Sequence, residues 1–301
     1  MERQVVSIFV NFDWSYAPHA TTMVRSLLDN SPPACRIDLY ALGVGLSPEI
    51  KERVVASWPG DRLTVHWLSL NLQPFQRLFG GTDYPTVAYA RLLLDWLLPD
   101  KVARVITLDC DGVFLGDVAD LWQAAPTRVC VRAAVDLTVL QLGHDRSSFV
   151  QQLGGHEGAP YFNSGVMVVD LERWRSLDVT GECLKLVHRY PGQANYADQS
   201  ILNAVLRDEW EPLPVRWNCN AFSLAECSYP SLRHRLVSMT DVRAARRHPG
   251  FVHFAGRQKP WNAGPSHPHA RLYRDYEGRT GWASSSAAIE SEGGPAVGFA
   301  G

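Results

Sequence analysis

The chain has 301 residues, of which 46% are hydrophobic and 20% are charged, and its formal net charge is −2. This length is sufficient for one large α/β domain, and the near-zero charge argues against a nucleic-acid or anionic-membrane partner. The six cysteines are scattered, with none in a Cys-x-x-Cys pair, so a zinc site or a disulfide framework is not expected. No apolar run approaches the ~20 residues that span a bilayer, and the short run after Met1 leaves no room for a signal peptide. We therefore expect a cytoplasmic location.

The first part of the chain alternates strand-like and helix-like segments. Residues 5–10, 37–44 and 63–68 are short apolar runs, which predict three strands. Pro18 opens a helix between the first two, and Ser47 caps a second helix that has Pro48 at its first position. A β-α-β-α-β order predicts a parallel sheet with helices on its faces.

Residues 86–98 are apolar nearly all round, which predicts a buried helix. Arg91 lies within this segment. A buried arginine needs a partner, because an unpaired buried charge is costly. Two interpretations stay open: a structural ion pair, or a contact to an anion or a sugar.

The apolar run 105–108 ends in Asp109-Cys110-Asp111. Side chains alternate between the two faces of an extended backbone, so Asp109 and Asp111 point the same way. They follow a strand's carboxyl end, where α/β sheets bind ligands. Two carboxylates this close repel unless a positive charge lies between them, and oxygen ligands suit Mg²⁺ or Mn²⁺ shared with substrate phosphates. The alternative is a strand followed by an acidic turn.

Polar residues also follow or interrupt later segments. Residues 129–135 predict a strand that ends at Asp136, and the cluster Asn163-Ser164-Gly165 is interpreted as a turn before a strand over 166–169. Asp198 is predicted to cap a helix over 199–206.

Along the strand-like run near the end of the chain, Val252 and Phe254 face one way and His253 faces the other. A lone histidine of this kind is either a structural residue or a ligand. From residue 283 the chain is rich in Ser, Ala and Gly, which predicts a disordered tail after a single domain over residues 1–282.

Five motifs occur in a fixed order along nearly the whole chain. They are Asp13-Trp14-Ser15-Tyr16-Ala17-Pro18-His19, Tyr89-Ala90-Arg91-Leu92, Leu108-Asp109-Cys110-Asp111, Tyr161-Phe162-Asn163-Ser164-Gly165-Val166, and His253-x-x-Gly256-x-x-Lys259-Pro260-Trp261. Together they resemble those of the family 8 glycosyltransferases, which are retaining, metal-dependent enzymes that include bacterial galactosyl- and glucosyltransferases and glycogenin.

The resemblance implies a GT-A fold, a Rossmann-like, mostly parallel mixed sheet flanked by helices in a single domain. It implies transfer of a hexose, glucose or galactose, from UDP-glucose or UDP-galactose to an acceptor hydroxyl. Three residues would bind the metal, Mn²⁺ or Mg²⁺: Asp109, Asp111 and His253. The donor would be contacted by Asp13 at the uracil, Ser15 beside it, Gly256 and Lys259 at the diphosphate, and Arg91, Asp109, Asn163, Asp198 and Gln199 at the sugar.

The same resemblance implies that Asp198, Gln199 and Asp136 are the catalytic residues, with Asp136 near the sugar and the acceptor. Gln199 would present an amide oxygen to the far face of the cation-like anomeric carbon. Helix stability gives no other reason for a glutamine there. An amide is a poor nucleophile, so front-side displacement and a covalent intermediate both remain open. Two positions depart from the family: Ser15 replaces a common asparagine, and Ser200 replaces an acid.

Two other functions are compatible with this sequence. A glycogenin-like protein would glycosylate one of its own tyrosines, with Tyr84, Tyr190 and Tyr229 as candidates. A non-catalytic protein would bind a sugar nucleotide without transferring the sugar. The sequence also leaves open the oligomeric state and the acceptor, which could be a saccharide, a small-molecule natural product or a protein.

Overall fold

The computed structural model describes residues 5–79, 84–139, 141–147, 149–150, 158–220, 237–263 and 267–282. The tail over 283–301 lies outside them. The strands of this part of the chain are β1 (Val5–Asp13), β2 (Arg36–Val44), β3 (Leu63–Leu68), β4 (Arg104–Leu108), β5 (Gly112–Phe114), β6 (Val131–Val135), β7 (Phe162–Asp170), β8 (Trp210–Leu213), β9 (Cys219–Asn220) and β10 (Phe251–His253).

The α-helices of the same part of the chain are α1 (Ala17–Asn30), α2 (Pro48–Ala56), α3 (Gln73–Phe79), α4 (Leu94–Leu97), α5 (Val118–Gln123), α6 (Leu171–Ser176), α7 (Val179–Arg189), α8 (Ala197–Val205), α9 (Met239–Arg247) and α10 (Ala270–Glu277). Short 3-10 helices cover Trp14–Tyr16, Thr86–Leu93, Leu142–His144 and Val215–Asn218.

A seven-stranded sheet in the order β3-β2-β1-β4-β7-β6-β8 lies at the centre of the fold. Strands β3, β2, β1 and β4 are mutually parallel, β7 is antiparallel to both of its neighbours, and β8 is parallel to β6. The prediction of a mostly parallel mixed sheet is confirmed. A second sheet has three strands in the order β5-β10-β9, and its strand β5 follows shortly after the carboxyl end of β4.

Apolar side chains are buried on both faces of the main sheet. Along β1, Phe9 belongs to one core cluster, whereas Ile8 and Val10 belong to the cluster on the opposite face. This alternation follows from the two-residue repeat of an extended strand. A third, smaller cluster, which includes Val252 and Phe254, packs under α10. Apolar cores therefore cover both faces of the main sheet.

The predicted β-α-β-α-β order of the first 68 residues is confirmed. Helix α1 has Pro18 in its first turn, and α2 begins after Ser47, whose side chain accepts a hydrogen bond from the Ile50 N–H. The buried segment over 86–98 is a 3-10 helix followed by the single turn of α4, and not one continuous α-helix. Strand β6 begins at Val131, two residues later than predicted.

Two local predictions were wrong. The cluster Asn163-Ser164-Gly165 is not a turn before a strand, because β7 already begins at Phe162 and pairs there with Val135 of β6. Asp198 is not a helix cap, because α8 begins one residue earlier, at Ala197. In both cases contacts from distant parts of the chain decide the local structure.

Candidate active site

Two carboxylates and an imidazole converge where the two sheets meet. Asp109 follows β4, Asp111 precedes β5, and His253 ends β10, where it lies opposite Gly112 in the register of the small sheet. The His253 Nε2 atom is 3.4 Å from an oxygen of Asp109 and 3.3 Å from an oxygen of Asp111. One ligand atom of each residue falls within 4.8 Å of the others. The prediction that the two acids point the same way is confirmed.

Two glycines allow this close approach. A Cβ at Gly165 of β7 would lie 2.5 Å from the His253 Cε1 atom and 2.8 Å from its Nδ1 atom. A Cβ at Gly112 would lie 2.1 Å from the Phe251 ring. Since real Cβ atoms do not come this close to other heavy atoms, any larger residue would displace the rings that position the site.

A lysine ammonium lies directly beside the acid pair. Lys259 Nζ donates to an oxygen of Asp111 and, at 2.7 Å, to the Phe254 carbonyl oxygen. Burial alone would raise the pKa of Asp111, but the charges of Lys259 and His253 outweigh it and hold that pKa well below its usual range. Burial lowers the pKa of His253, whereas Asp111 and then Asp109 raise it, and the net shift is upward. The region therefore favours negative charge on the acids and positive charge around them.

Arg91 is buried and contacts three groups at once. Its guanidinium donates to an oxygen of Asp109 and to the Ser164 carbonyl oxygen, and its Nε lies 3.1 Å from an oxygen of Asp198. The structural ion pair that the sequence left open is therefore present. Because it joins Asp109 to Asp198, the same ion pair also links the acid pair to α8.

The carboxylate of Asp198 is buried beside that guanidinium. Burial raises the pKa of Asp198 to about 6, although Arg91 acts in the opposite direction. The Ser164 hydroxyl also donates to this carboxylate, at 3.1 Å. These contacts occupy the carboxylate that the sequence had assigned to a helix cap.

Asp136, at the end of β6, is the centre of a hydrogen-bond network. Its Oδ1 accepts from the N–H groups of Thr138 and Val139, at 2.7 and 2.9 Å. Its Oδ2 accepts from the Asn163 amide at 2.9 Å and from the Gln199 amide at 3.1 Å. All three predicted sugar-side residues of this network are thus held together, and Asp136 orients both amides.

The structure gives a structural reason for a glutamine at position 199, which the sequence did not reveal. Its Oε1 accepts the Ser164 N–H at 3.1 Å while its Nε2 donates to Asp136. The side chain is 8% exposed. Both ends of the amide are therefore engaged, although an amide oxygen keeps a second lone pair.

The predicted base-binding loop lies beside the acid pair. Asp13 Oδ1 accepts from the Ser15 N–H and hydroxyl, at 3.0 and 2.6 Å, and from the Tyr16 N–H at 3.2 Å. Burial, followed by the negative charges of Asp111 and Asp109, raises the pKa of Tyr16. Ser15 thus fixes the carboxylate of Asp13, which is a function that its side chain can perform without touching a ligand.

Three aromatic rings support the loop that carries Lys259. Trp261 stacks on His19, with ring centroids 3.7 Å apart, and it also contacts Tyr273 of α10, at 5.0 Å between ring centroids. Burial lowers the pKa of His19 to about 3, so its imidazole is neutral and can share a hydrogen bond of 2.6 Å with the Tyr273 hydroxyl. Gly256, with φ at +93°, provides the turn between β10 and this loop.

Sequence reasoning missed three residues of the site: Asn218, Ser164 and Gly165. Asn218 Oδ1 lies 2.9 Å from His253 Nδ1, and its Nδ2 donates to Asn163 at 2.7 Å. Ser164 and Gly165 belong to a motif that was recognised, but their contacts to Arg91 and His253 depend on long-range pairing. No spacing rule in the sequence marks Asn218.

The sequence model of the family described as "Glycosyl transferase family 8" matches residues 7–264. The chain belongs to this family. One similar protein is general stress protein A of Bacillus subtilis, which is 28% identical over 93% of this chain and 95% of that protein. Another is lipopolysaccharide 1,2-glucosyltransferase of Escherichia coli K12, which is 21% identical over 90% of this chain and 77% of that protein.

A solved structure has the same fold. The galactosyltransferase LgtC, crystallised in complex with donor and acceptor sugar analogs, superposes with a TM-score of 0.77 at 22% identity and covers 92% of this chain and 96% of that one. The predicted GT-A fold is confirmed by this likeness. No helix among the described residues is both long and apolar enough to cross a membrane.

Proposed function

We propose that this family 8 glycosyltransferase moves a hexose, glucose or galactose, from a UDP-sugar to an acceptor hydroxyl with retention of configuration at the anomeric carbon. The observation that carries the proposal is the convergence of Asp109, Asp111 and His253 beside the two buried cations Arg91 and Lys259. A hexose donor is supported by the presence of a glucosyltransferase and a galactosyltransferase among the similar proteins.

The three converging residues fit a divalent cation. Carboxylate oxygens with one imidazole nitrogen are ligands that Mn²⁺ accepts, and Mg²⁺ accepts the carboxylates. Asp109, Asp111 and His253 would hold it. When bound, such an ion neutralises charge that develops on a diphosphate leaving group.

Lys259 and Gly256 would contact the diphosphate. The ammonium has three N–H donors, of which one points to Asp111 and one to the Phe254 carbonyl. An arriving diphosphate offers oxygens of higher charge in the same direction. Because the ammonium is nearly buried, its interaction with the leaving group is little screened by water.

The network around Asp136 would bind the donor sugar, together with Arg91, Asp198, Asn163 and Gln199. Both carboxylates in this group are already engaged, since Asp198 pairs with Arg91 and Asp136 accepts four hydrogen bonds. This supports a front-side displacement in preference to a covalent intermediate. The bond from the anomeric carbon to UDP breaks, the acceptor oxygen bonds on the same face, and its proton passes to the departing phosphate oxygen.

A turnover screen tests the proposal directly. The protein is incubated with UDP-glucose, UDP-galactose or UDP-GlcNAc and Mn²⁺, with and without EDTA, and UDP release is measured. We expect metal-dependent release from one of the two hexose donors. Absence of UDP release and of UDP binding under all conditions would overturn the proposal.

His253→Ala is the decisive variant, because His253 would be the third ligand. We expect metal-dependent UDP affinity to fall in titration calorimetry, whereas His66→Ala, on the half-exposed face of β3, should leave it unchanged. Unchanged metal-dependent affinity in His253→Ala would remove the histidine from the site.

Self-glycosylation is distinguished from transfer by the intact mass of the protein after incubation with donor. Of the three candidate tyrosines, Tyr84 is 43% exposed, Tyr190 is partly buried, and Tyr229 lies outside the described residues. A mass increase in hexose steps would support a glycogenin-like protein. UDP binding without turnover would support a non-catalytic sugar-nucleotide-binding protein.

A further inference from the structure

A chain of side-chain hydrogen bonds runs from His253 to Asp136 across the floor of the site. His253 Nδ1 is 2.9 Å from Asn218 Oδ1, Asn218 Nδ2 is 2.7 Å from Asn163 Oδ1, and Asn163 Nδ2 is 2.9 Å from Asp136 Oδ2. His253 and Asn218 are 4% and 5% exposed. Water therefore has little access to replace these bonds.

The direction of every bond in this chain follows from one backbone group. The Gly165 N–H can only donate, and it points to Asn163 at 2.9 Å, so the Asn163 atom that faces it is the oxygen. The amide nitrogen of Asn163 then faces Asp136, which accepts.

The same rule extends to the histidine. Because Asn163 presents its oxygen to Asn218, the Asn218 atom in that contact is the amide nitrogen. The Asn218 oxygen consequently faces His253 Nδ1, and that ring nitrogen must carry a proton. In the neutral imidazole, Nε2 is then the nitrogen with the lone pair. It is also the nitrogen that faces Asp109 and Asp111.

We propose that Asn218 is a positioning residue that holds His253 in the Nδ1–H tautomer and thereby makes Nε2 the metal-binding nitrogen. This inference rests on the proposed metal-dependent function. Histidine ligands in proteins commonly donate their second ring N–H to an acceptor that fixes ring orientation. Here the acceptor is a neutral amide whose own orientation is set by β7.

Gly165, which has no side chain, also helps to position the His253 ring. The imidazole lies against the backbone of β7 at a distance that excludes a Cβ. The ring is thus fixed by contact on one side and by the Asn218 hydrogen bond at its Nδ1 corner. Rotation about the Cβ–Cγ bond would exchange Nδ1 for a carbon and break the bond to Asn218.

The test compares variants of Asn218 that keep or remove the acceptor. Asn218→Leu has similar size and no polar atom, Asn218→Ala removes the side chain, and Asn218→Asp keeps an oxygen toward His253 while losing the donor toward Asn163. Asn30→Ala is the control, since Asn30 also joins separate elements through its amide but lies at the end of α1. Mn²⁺ affinity is measured with UDP present by electron paramagnetic resonance of the free ion.

We expect Asn218→Leu and Asn218→Ala to weaken Mn²⁺ binding by about 10- to 100-fold. Asn218→Asp should lose clearly less affinity than Asn218→Leu, because a carboxylate oxygen replaces the amide oxygen as the acceptor toward His253. Asn30→Ala should leave the affinity unchanged. Wild-type affinity in the leucine variant, or an equal loss in the aspartate and leucine variants, would overturn the inference.

A second measurement needs no variant. The ¹⁵N chemical shifts of the His253 ring in metal-free wild-type protein, at a pH where the imidazole is neutral, report which nitrogen carries the proton. A protonated Nδ1 is expected, and a protonated Nε2 would refute the assignment. Failure of wild-type protein to bind Mn²⁺ at all would instead refute the proposed metal-dependent function, so the two failures are distinguishable.

Discussion

Replacing Gln199 by alanine separates a structural function of this amide from a catalytic one. The amide links the Ser164 N–H to Asp136 and is buried, so its removal costs two hydrogen bonds and leaves a small cavity. At 0.5–1.5 kcal/mol for each bond plus a cavity cost, we expect a loss of about 2–4 kcal/mol in unfolding free energy. For a chain of this size that is a fall in Tm of about 3–6 °C.

Helix propensity alone gave no reason for Gln199 to contribute to stability, whereas its two hydrogen bonds in the structure predict that it does. If its second oxygen lone pair also faces the anomeric carbon, turnover at saturating donor should fall by about tenfold or more, since about 1.4 kcal/mol of transition-state stabilisation is a factor of ten. UDP affinity should change little, because the amide belongs to the group of residues proposed to bind the sugar and not the nucleotide.

Asn203→Ala is the matched control for Gln199→Ala. Asn203 lies one turn later in α8 and is equally buried, and its amide bonds both the N–H and the carbonyl of Phe162 at 2.8 Å. We expect a similar loss of Tm and a transfer rate within about threefold of wild type. Equal losses of turnover in the two variants at a temperature where both are folded would refute a catalytic function for Gln199.

Three further predictions concern the neighbouring residues. The folded protein holds the Asp198 proton more tightly than the unfolded chain does, because the pKa of Asp198 is raised from 3.8 to about 6. Protonated Asp198 therefore contributes on the order of 3 kcal/mol to the unfolding free energy below pH 3.8, and this contribution is lost as the pH rises to about 6. Urea unfolding from pH 4 to 7 should show this decrease in stability in wild type but not in Asp198→Asn. Ala197 has a positive φ of 50°, so Ala197→Val should cost about 1–3 kcal/mol in thermal melts while Ala197→Gly costs nothing; equal losses would contradict the strain. Asp13 would accept the uracil N–H, so UDP should outcompete CDP in calorimetry by about 5- to 150-fold, corresponding to 1–3 kcal/mol for an unpaired buried group; equal affinities would remove Asp13 from this function.

Much of the fold could be predicted because its determinants are local. The strand and helix order over the first 68 residues follows from apolar periodicity and from caps such as Ser47. The alternation of side chains along extended backbone was also sufficient to place Asp109, Asp111 and His253 on their respective faces. Their meeting in space was implied only by the family resemblance, because the pairing of β5 with β10 joins segments more than a hundred residues apart.

The predictions that failed did so where a tertiary contact overrides a local preference. Aspartate is a residue type common at helix N-caps, but the carboxylate of Asp198 pairs with the buried guanidinium of Arg91, which is a stronger partner than a backbone N–H. Ser164 lies within a strand and not in a turn, because β7 pairs with β6 at Phe162 and with β4 from Val166 onward. No sequence pattern marked Asn218 as a site residue, because its importance depends on its hydrogen bonds to Asn163 and His253, which are distant in sequence.

The β-bulge between β6 and β7 explains why both amides of the site have a defined direction. Ala133 pairs with Met167 and Val135 pairs with Phe162, so the residues of β7 between them have no regular partners on β6. Buried N–H groups require acceptors, and those of Ser164 and Gly165 find them in side-chain amides.

Each of these two N–H groups makes its partner present an oxygen, so the amide nitrogens of Gln199 and Asn163 both turn to Asp136. The orientation then passes through Asn163 and Asn218 to the imidazole of His253. An interruption of regular strand pairing thus sets the direction of the amides in the proposed sugar site and, through them, of the imidazole in the proposed metal site.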